Sequence, residues 1–242
     1  MTTTPAVFAI KREPELPGQT VVVIGGSSGI GLETARQARA EGADVILTGR
    51  DPERLQRAAA DPAALDRFFQ GLPEQIDHVM VTGPGPNYAP LADLDRDRAH
   101  RDFDAHLWLA VAVAQHAIGR VRPGGTLLFM GGTGGRRPGI GLALISAGSA
   151  ALHALIANLA LEMAPVRVNL IAPGFVDTPL SASLLGEDLD KRRDQLRAAL
   201  PIGRVVGPAD VAALAVHLMT NTAVTGATYD VDGGQQLAPG SG

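Results

Sequence analysis

The first residues whose spacing suits a chemical role are glycines near the start of the chain. Gly25, Gly29 and Gly31 form the pattern G-x-x-x-G-x-G within VVVIGGSSGIG. Glycine lets the backbone turn sharply and approach a pyrophosphate, and a helix beginning there offers free N–H groups. A buried strand is predicted over 21–24 and a helix over 32–41, as such a site requires. The predicted cofactor-binding residues of this turn are Gly25, Ser27, Ser28, Gly29, Ile30 and Gly31. The alternative is a tight turn without a ligand.

The end of the second predicted strand indicates which dinucleotide is bound. An acidic residue there binds the ribose 2′-OH of NAD, whereas an arginine nearby suits a 2′-phosphate. After the strand Asp44–Thr48, Gly49 takes the place of the acid and Arg50 follows. A guanidinium pairs well with phosphate. The sequence therefore predicts NADP(H), with a solvated loop arginine capped by Asp51 as the alternative.

The elements that position these residues alternate along the chain. Further strands are predicted at 76–82, 126–130, 166–171 and 226–231. Helices are predicted at 95–121, 142–164 and 209–220, with an amphipathic lid over 181–200. This alternation predicts an α/β fold, a Rossmann-type doubly wound parallel sheet in a single domain over 20–237. Residues 1–19 are predicted to form an irregular arm and 238–242 a frayed tail.

Composition excludes several classes of function. The net charge is −4 and Cys is absent, which argues against a nucleic-acid partner, disulfides and thiol chemistry. No apolar run approaches a membrane span and no signal-peptide core is present, so a cytoplasmic protein with no membrane partner is predicted. No spacing typical of metal ligands is found.

Three motifs resemble those of the short-chain dehydrogenase/reductase family. The glycine turn matches T-G-x-x-x-G-I-G, with Ile24 in the threonine place, and the segment APGFVDT over 172–178 matches P-G-x-x-x-T. Residues 232–234, DGG, match the terminal signature, so the resemblance extends from about Thr20 to Gln236. It implies that Pro173, Gly174 and Thr178 hold the nicotinamide amide.

The resemblance also bears on the cofactor's ribose and adenine. The family has N-N-A-G after the strand at 76–82, where this chain has Thr82-Gly83-Pro84-Gly85, which places Gly83 near the ribose. Asp61 falls near the adenine-contacting Asp of the family, or is a helix N-cap. Helices are predicted to begin at Asp51-Pro52 and Asp61-Pro62. These leave too little chain for the family's third strand, an edge strand, which is predicted to be missing or vestigial.

The family's catalytic residues are replaced in this chain. The resemblance implies a Tyr that exchanges the proton, a Lys that lowers its pKa, a Ser that holds the carbonyl and an Asn that orders water. The flanking motifs place Ile145 at the Tyr position, Ser149 at the Lys position, Gly132 at the Ser position and His106 at the Asn position. The only tyrosines are Tyr88 and Tyr229 and the only lysines Lys11 and Lys191, so no shift of alignment restores the Tyr–Lys pair.

Substitutes are available near these positions. His106 is a candidate to transfer the proton, and Thr133 and Ser149 offer hydroxyls. The alternatives are a structural helix histidine and a small packing serine. Arg136 and Arg137 lie on the loop over the site, where they attract an anionic substrate or are simply solvated.

Two classes of function remain open. The first is an atypical NADP(H)-dependent oxidoreductase acting on a small carbonyl, enone or quinone, where charge is stabilised without the Tyr–Lys pair. The second is a catalytically silent NADP(H)-binding sensor or partner protein. The helix at 142–164 is apolar nearly all round, which predicts a homodimer or homotetramer built on it and the helix from Asp95.

Overall fold

The sheet is the centre of the molecule. The computed structural model describes residues 16–48, 62–83, 85–136 and 139–238. Within them, six parallel strands form one sheet in the order β2-β1-β3-β4-β5-β6. The strands are β1 (Thr20–Ile24), β2 (Asp44–Thr48), β3 (Ile76–Val81), β4 (Val121–Met130), β5 (Arg167–Pro173) and β6 (Thr228–Val231). The predicted doubly wound α/β fold is confirmed.

Helices cover both faces of the sheet in the described part of the chain. They are α1 (Gly29–Ala40), α2 (Pro62–Gln70), α3 (Arg96–Ala117), α4 (Ala143–Glu162), α5 (Pro179–Leu185), α6 (Leu189–Ala199) and α7 (Pro208–Thr220). Short 3-10 turns lie at Leu91–Asp93, Thr133–Arg136, Gly186–Asp188 and Gln235–Leu237. One core joins α2, α3 and α4 to the sheet, and a second joins α1 and α7 to its other face.

The strand order reverses at β1, which lies between β2 and β3. In an open parallel sheet this reversal opens a crevice at the carboxyl ends of the two strands, where nucleotides bind. Within the described residues β2 is the edge strand, in line with the predicted loss of the family's third strand. Residues 49–61, where the first of the two short helices is predicted, lie outside the described part, whereas the second is found as α2.

Packing extends beyond the predicted ends of the domain. Leu16, placed in the arm from sequence, is fully buried and belongs to the same core cluster as Val21, Val23 and Met80. Ala238, placed in the tail from sequence, is 6% exposed. The domain's core therefore includes the end of the arm and the first residue of the tail, because apolar side chains there fill space beside the sheet.

The helix α4 contradicts the prediction that no apolar run in the chain approaches the length of a membrane span. It is 20 residues long with a mean hydropathy of 1.7, enough in length and composition to cross a membrane. Core helices of soluble proteins have the same composition, and one face of α4 packs against β5 and α3. This packing is that of a helix in a Rossmann domain.

The segment predicted to be a lid over 181–200 forms two helices, α5 and α6. Thr178 caps α5 through a reciprocal pair of hydrogen bonds with Ser181. Gly186 has φ +52°, a left-handed conformation that ends α5 and separates it from α6. The charge pattern of the segment predicted its amphipathic character but not this break.

Candidate functional site

The glycine turn lies in the crevice between β1 and β3. A Cβ built on Gly31 would lie 2.8 Å from the carbonyl oxygen of Gly25 and 2.9 Å from Cα of Gly26, so only glycine fits there. Ser28 precedes α1 with extended backbone and its side chain caps no N–H group, and the first turn carries no acidic residue. The N–H groups at this helix start therefore remain available to a phosphate, and the turn fits a pyrophosphate.

Thr82 fastens this turn to the neighbouring strand, a role that sequence reasoning missed. Its N–H donates to the carbonyl oxygen of Ile24 at 2.9 Å. Its hydroxyl lies 3.1 Å from the same oxygen and 3.0 Å from that of Gly25. On the other side the hydroxyl of Thr48 accepts from the N–H of Gly25 at 3.4 Å. The sequence pattern that could have predicted these hydrogen bonds is a hydroxyl-bearing residue, Thr48 or Thr82, at the end of each strand beside β1.

The loop after β5 meets the glycine turn. A Cβ built on Gly29 would lie 3.4 Å from Cγ2 of Thr178, so these two predicted cofactor residues are brought together across the crevice. Pro173 ends β5, and Gly174 follows it. A Cβ on Gly174 would lie 2.6 Å from Oε1 of Gln235. This position therefore requires glycine for close packing.

Gln235 is a second residue that sequence reasoning missed. Its Oε1 accepts a hydrogen bond of 2.9 Å from the N–H of Phe175, 60 residues away. The carboxylate of Asp232 in turn accepts from the N–H groups of Gly234 and Gln236 at 2.8 and 3.0 Å, which shapes the turn that carries Gln235. The terminal DGG motif therefore acts through this turn on the loop predicted to hold the nicotinamide.

A charged fork, by which we mean the bidentate ion pair between Arg193 and Asp177, joins the loop after β5 to the lid. Arg193 on α6 donates to both carboxylate oxygens of Asp177, from Nε at 2.9 Å and from Nη2 at 2.8 Å. Its Nη1 donates to Asp190 at 2.8 Å. The hydrogen bonds to Asp177 and then to Asp190 raise the pKa of Arg193 above its ordinary value. The fork therefore fixes the lid to the loop that carries Thr178.

His106 lines a small pocket at the carboxyl ends of β3 and β4. Gly83, another predicted cofactor residue, lies in the same wall, and its Cβ position is 3.9 Å from Cδ2 of the imidazole. The Nδ1 of His106 lies 2.7 Å from the carbonyl oxygen of Asp102. A carbonyl only accepts, so Nδ1 carries a proton and donates it. Within the described part of the chain, Nε2 of His106 makes no hydrogen bond, which leaves it to face a ligand.

The pocket is not lined by the other candidate positions, Gly132, Thr133, Ile145 and Ser149. Gly132 is open, with only the carbonyl oxygen of Pro173 within 4 Å of its Cβ position, at 3.7 Å. Ile145 is partly buried on α4 and Thr133 begins a 3-10 turn. Ser149 is 7% exposed and its Cβ lies 3.2 Å from a Cβ built on Gly135, which suits a packing role. Of the three candidate catalytic side chains, only His106 therefore lines the pocket.

Several predicted residues fall elsewhere. Arg50, Asp61 and Arg137 lie outside the described residues. Arg136 is ion-paired with Asp230, so it is not the free cation that an anionic substrate would need. Among the described residues no cluster of three metal-ligating side chains is present.

A glycine turn at the reversal point of a parallel sheet, facing a second loop across the crevice, defines a dinucleotide-binding protein of the Rossmann type. A family model described as enoyl-(acyl carrier protein) reductase matches residues 24–236. The chain belongs to the short-chain dehydrogenase/reductase family, whose members are oxidoreductases that use a nicotinamide cofactor.

Individual relatives cover nearly the whole chain. The short-chain dehydrogenase/reductase ATR9 of Stachybotrys chlorohalonatus is 28% identical over 93% of this chain and 99% of its own. The 3-oxoacyl-[acyl-carrier-protein] reductase MabA of Mycobacterium bovis is 31% identical over 93% of this chain and 96% of its own. A crystal structure of a small-chain dehydrogenase in complex with NADPH aligns with a TM-score of 0.83 and 31% identity, over 90% of this chain and 99% of its own.

Proposed function

We propose that this chain is an NADP(H)-dependent reductase of conjugated carbonyl compounds, an enone or a quinone, in which His106 supplies the proton. The observation that carries the proposal is the position of His106. It is the one titratable side chain among the described residues that line the pocket at the ends of β3 and β4.

Different residues of the chain would bind the cofactor and supply the proton in such a reaction. NADP(H) supplies the hydride when it is bound. The glycine turn would hold the pyrophosphate and the loop from Pro173 to Thr178 the nicotinamide, with the positions of Gly31 and Gly174 kept free of side chains. The carbonyl oxygen of Asp102 fixes Nδ1 of His106, so that Nε2 of the protonated ring donates the proton that balances the hydride.

The nature of the acceptor follows from the residues around His106. Gly132 and Ile145 replace the hydroxyl and phenol that hold and protonate an ordinary carbonyl in the family. An alkoxide formed without them is poorly stabilised, whereas an enone or quinone spreads the arriving charge over several atoms. The description of the matching family model, enoyl-(acyl carrier protein) reductase, also names a conjugated carbonyl substrate.

Exchange of His106 tests the proposal. NADPH oxidation is measured with simple ketones, enones and quinones, using the parent, His106→Gln and the matched control His100→Gln on the exposed side of α3. We expect turnover of an enone or quinone but of no simple ketone, and a loss of about 10²–10⁴-fold in His106→Gln alone, the usual contribution of acid–base catalysis. Rapid reduction of a simple ketone, or full activity in His106→Gln, would contradict the proposal.

A catalytically silent NADP(H)-binding protein is the second candidate. The observation that favours it is the apolar side chain of Ile145 at the family's Tyr position. It predicts that NADPH binds, measured by calorimetry, while no member of the panel oxidises it.

The preference for NADP(H) over NAD(H) rests on Arg50. A charge-assisted contact with the 2′-phosphate contributes about 1.5–3 kcal/mol, or roughly ten- to a hundredfold in affinity. Calorimetry should show NADPH binding more tightly than NADH by this ratio, and Arg50→Ala should remove the difference. Arg39→Ala, in the exposed last turn of α1, is the control. Equal affinities for both nucleotides in the parent protein would show that Arg50 does not select the cofactor.

A further inference from the structure

The pairing of β5 with β6 ends where the loop after β5 begins. Pro173 and Val231 are the last pair in register, and the N–H of Gly174 donates to the carbonyl oxygen of Val231 at 3.1 Å. The next N–H along the loop, that of Phe175, donates to Oε1 of Gln235 at 2.9 Å. A side-chain amide oxygen therefore takes the place of a backbone carbonyl, and the hydrogen bonds of the sheet continue one residue into the loop.

The turn that carries Gln235 is built around the buried carboxylate of Asp232. This carboxylate accepts from the N–H groups of Gly234 and Gln236 at 2.8 and 3.0 Å, and the N–H of Gln235 donates to the carbonyl oxygen of Asp232 at 3.1 Å. Burial raises the pKa of Asp232, but the hydrogen bonds from Gln236 and Gly234 outweigh it, so that the pKa lies below its ordinary value. The carboxylate is therefore ionised at neutral pH and holds the turn through charge-assisted hydrogen bonds.

Two further contacts fix this turn from outside. A Cβ built on Gly234 would lie 2.6 Å from Cγ of Pro201, so the segment after α6 closes one side of the turn. The side-chain amide of Gln236 donates to Asp230 of β6 at 3.0 Å and to Asp232 at 3.1 Å. The turn cannot shift without breaking these contacts, and it presents the amide oxygen of Gln235 at a fixed place.

The far end of the loop after β5 is held by other groups. The N–H of Asp177 donates to the carbonyl oxygen of Val206 at 2.9 Å, and the N–H of Thr178 donates to Oγ of Ser181 at 2.8 Å. These hydrogen bonds tie the second half of the loop to the ends of the lid segment. Gln235 therefore holds the first half of the loop, between the sheet and these anchors.

We propose that Gln235 is a positioning residue for the nicotinamide end of the cofactor: its amide oxygen holds Phe175 and so sets the place of the loop after β5 beside the nicotinamide. The proposal rests on the part of the proposed function that assigns this loop to the nicotinamide. The glycine turn is fastened separately, by hydrogen bonds of Thr48 and Thr82. Loss of the amide oxygen should therefore weaken binding of the nicotinamide and leave binding of the pyrophosphate unchanged.

Binding of a whole and a truncated cofactor tests this role. NADP⁺ and 2′-phospho-ADP-ribose, which lacks the nicotinamide, are titrated calorimetrically into the full-length parent, Gln235→Met and Gln235→Glu. If the parent prefers NAD⁺, the pair is NAD⁺ and ADP-ribose. Methionine has a similar length but at most a weak acceptor, whereas glutamate keeps an oxygen that accepts from Phe175.

We expect Gln235→Met to bind the whole cofactor about three- to tenfold more weakly, the usual contribution of one hydrogen bond. The truncated cofactor should bind as it does to the parent, and Gln235→Glu should recover part of the lost affinity. Gln115→Met, the same exchange on the exposed surface of α3, is the control and should match the parent with both ligands.

Three results would overturn the proposal. Equal weakening of both ligands in Gln235→Met would show that the side chain supports the whole fold. Unchanged binding of the whole cofactor would show that the loop keeps its place without the hydrogen bond. Equal affinity of the parent for the two ligands would mean that the nicotinamide makes no contact that a loop could position.

The outcomes separate this proposal from the proposed function. Weakening confined to the whole cofactor, in a protein that oxidises no NADPH with any member of the substrate panel, would support the positioning role and contradict the reductase function. Turnover of a conjugated substrate, with the same cofactor affinity in the parent and Gln235→Met, would support the function and contradict the positioning role.

Discussion

His78 is a buried histidine that the proposed chemistry does not use. It is 2% exposed on β3, and its Nε2 lies 2.6 Å from Oε1 of Gln19. Its Nδ1 is buried without a hydrogen-bond partner in the described structure. Burial lowers the pKa of His78 from 6.5 to about 4, more than the neighbouring Asp77 carboxylate raises it. The native state therefore keeps this imidazole neutral where the unfolded chain would protonate it.

The lower pKa of His78 in the folded state predicts that the free energy of unfolding depends on pH. Between pH 6.5 and about pH 4 the unfolded chain binds the proton and the folded chain does not. The free energy of unfolding therefore falls as the pH is lowered through this window, by about 3 kcal/mol in total from His78. Urea unfolding at a series of pH values measures it.

The variant His78→Gln separates the contribution of His78 to this pH dependence from that of the carboxylates, which also titrate in acid. In His78→Gln the fall between pH 6.5 and pH 4 should be smaller by about 3 kcal/mol, whereas His100→Gln, on the exposed surface of α3, should follow the parent. Parallel curves for the parent and His78→Gln would show that burial does not govern this group.

At the scale of elements, the fork between Arg193 and Asp177 is the contact that ties α6 to the loop after β5. The pair spans 16 residues and uses both carboxylate oxygens, a geometry that orients the helix as well as attracting it. Arg197, one turn further along α6, pairs within its own helix, with Asp194, and with no other element among the residues that the structure describes. The two arginines therefore differ in whether they connect elements.

Because Arg193 connects two elements and Arg197 does not, we expect their alanine substitutions to have unequal effects. Arg193→Ala should increase amide hydrogen exchange several-fold in residues 179–199 and weaken NADPH binding, because the lid and the loop with Thr178 lose their connection. Arg197→Ala should change neither. Hydrogen exchange followed by mass spectrometry, with calorimetry of NADPH, measures both. Equal exchange in the two variants would mean that the lid is held by its other contacts.

At the scale of the whole molecule, α3 and α4 present an uncovered apolar surface. Trp108 on α3 is 61% exposed and Leu161 on α4 is 79% exposed. Ala157, between the buried residues Ile156 and Leu159, is exposed on the outward side of α4. We propose that this surface is covered by a second copy of the chain in a homodimer or homotetramer, since symmetric pairing buries the same apolar face twice.

Introduction of a charge tests this assembly. Ala157→Glu should convert the oligomer to a smaller species in sedimentation at micromolar concentration, because a carboxylate in an apolar interface has no partner. Ala213→Glu, at an exposed alanine of α7 on the other side of the sheet, should leave the assembly intact. A parent protein that sediments as a monomer would exclude this assembly.

Features that depend on neighbours along the chain could be predicted from the amino-acid sequence. The β-branched run before Gly25 and the glycine spacing after it predicted the strand, turn and helix, because each is formed by local backbone preferences. The α2 helix was predicted in the same way from the Asp61-Pro62 start. The predicted replacement of the family's catalytic residues also comes from the sequence alone, since it depends only on which side chains stand at positions aligned by their flanking motifs.

Contacts between residues that are distant along the chain could not be predicted and are seen in the folded protein. Thr82 reaches the carbonyl oxygens of Ile24 and Gly25 because β3 lies beside β1, and Gln235 reaches Phe175 because the last turn folds back on the loop after β5. The same placement leaves His106 in an apolar pocket and Ser149 buried against the 3-10 turn that contains Gly135. No local pattern encodes these contacts, because they arise when the chain path closes loops of tens of residues and the sheet selects which side chains share a wall.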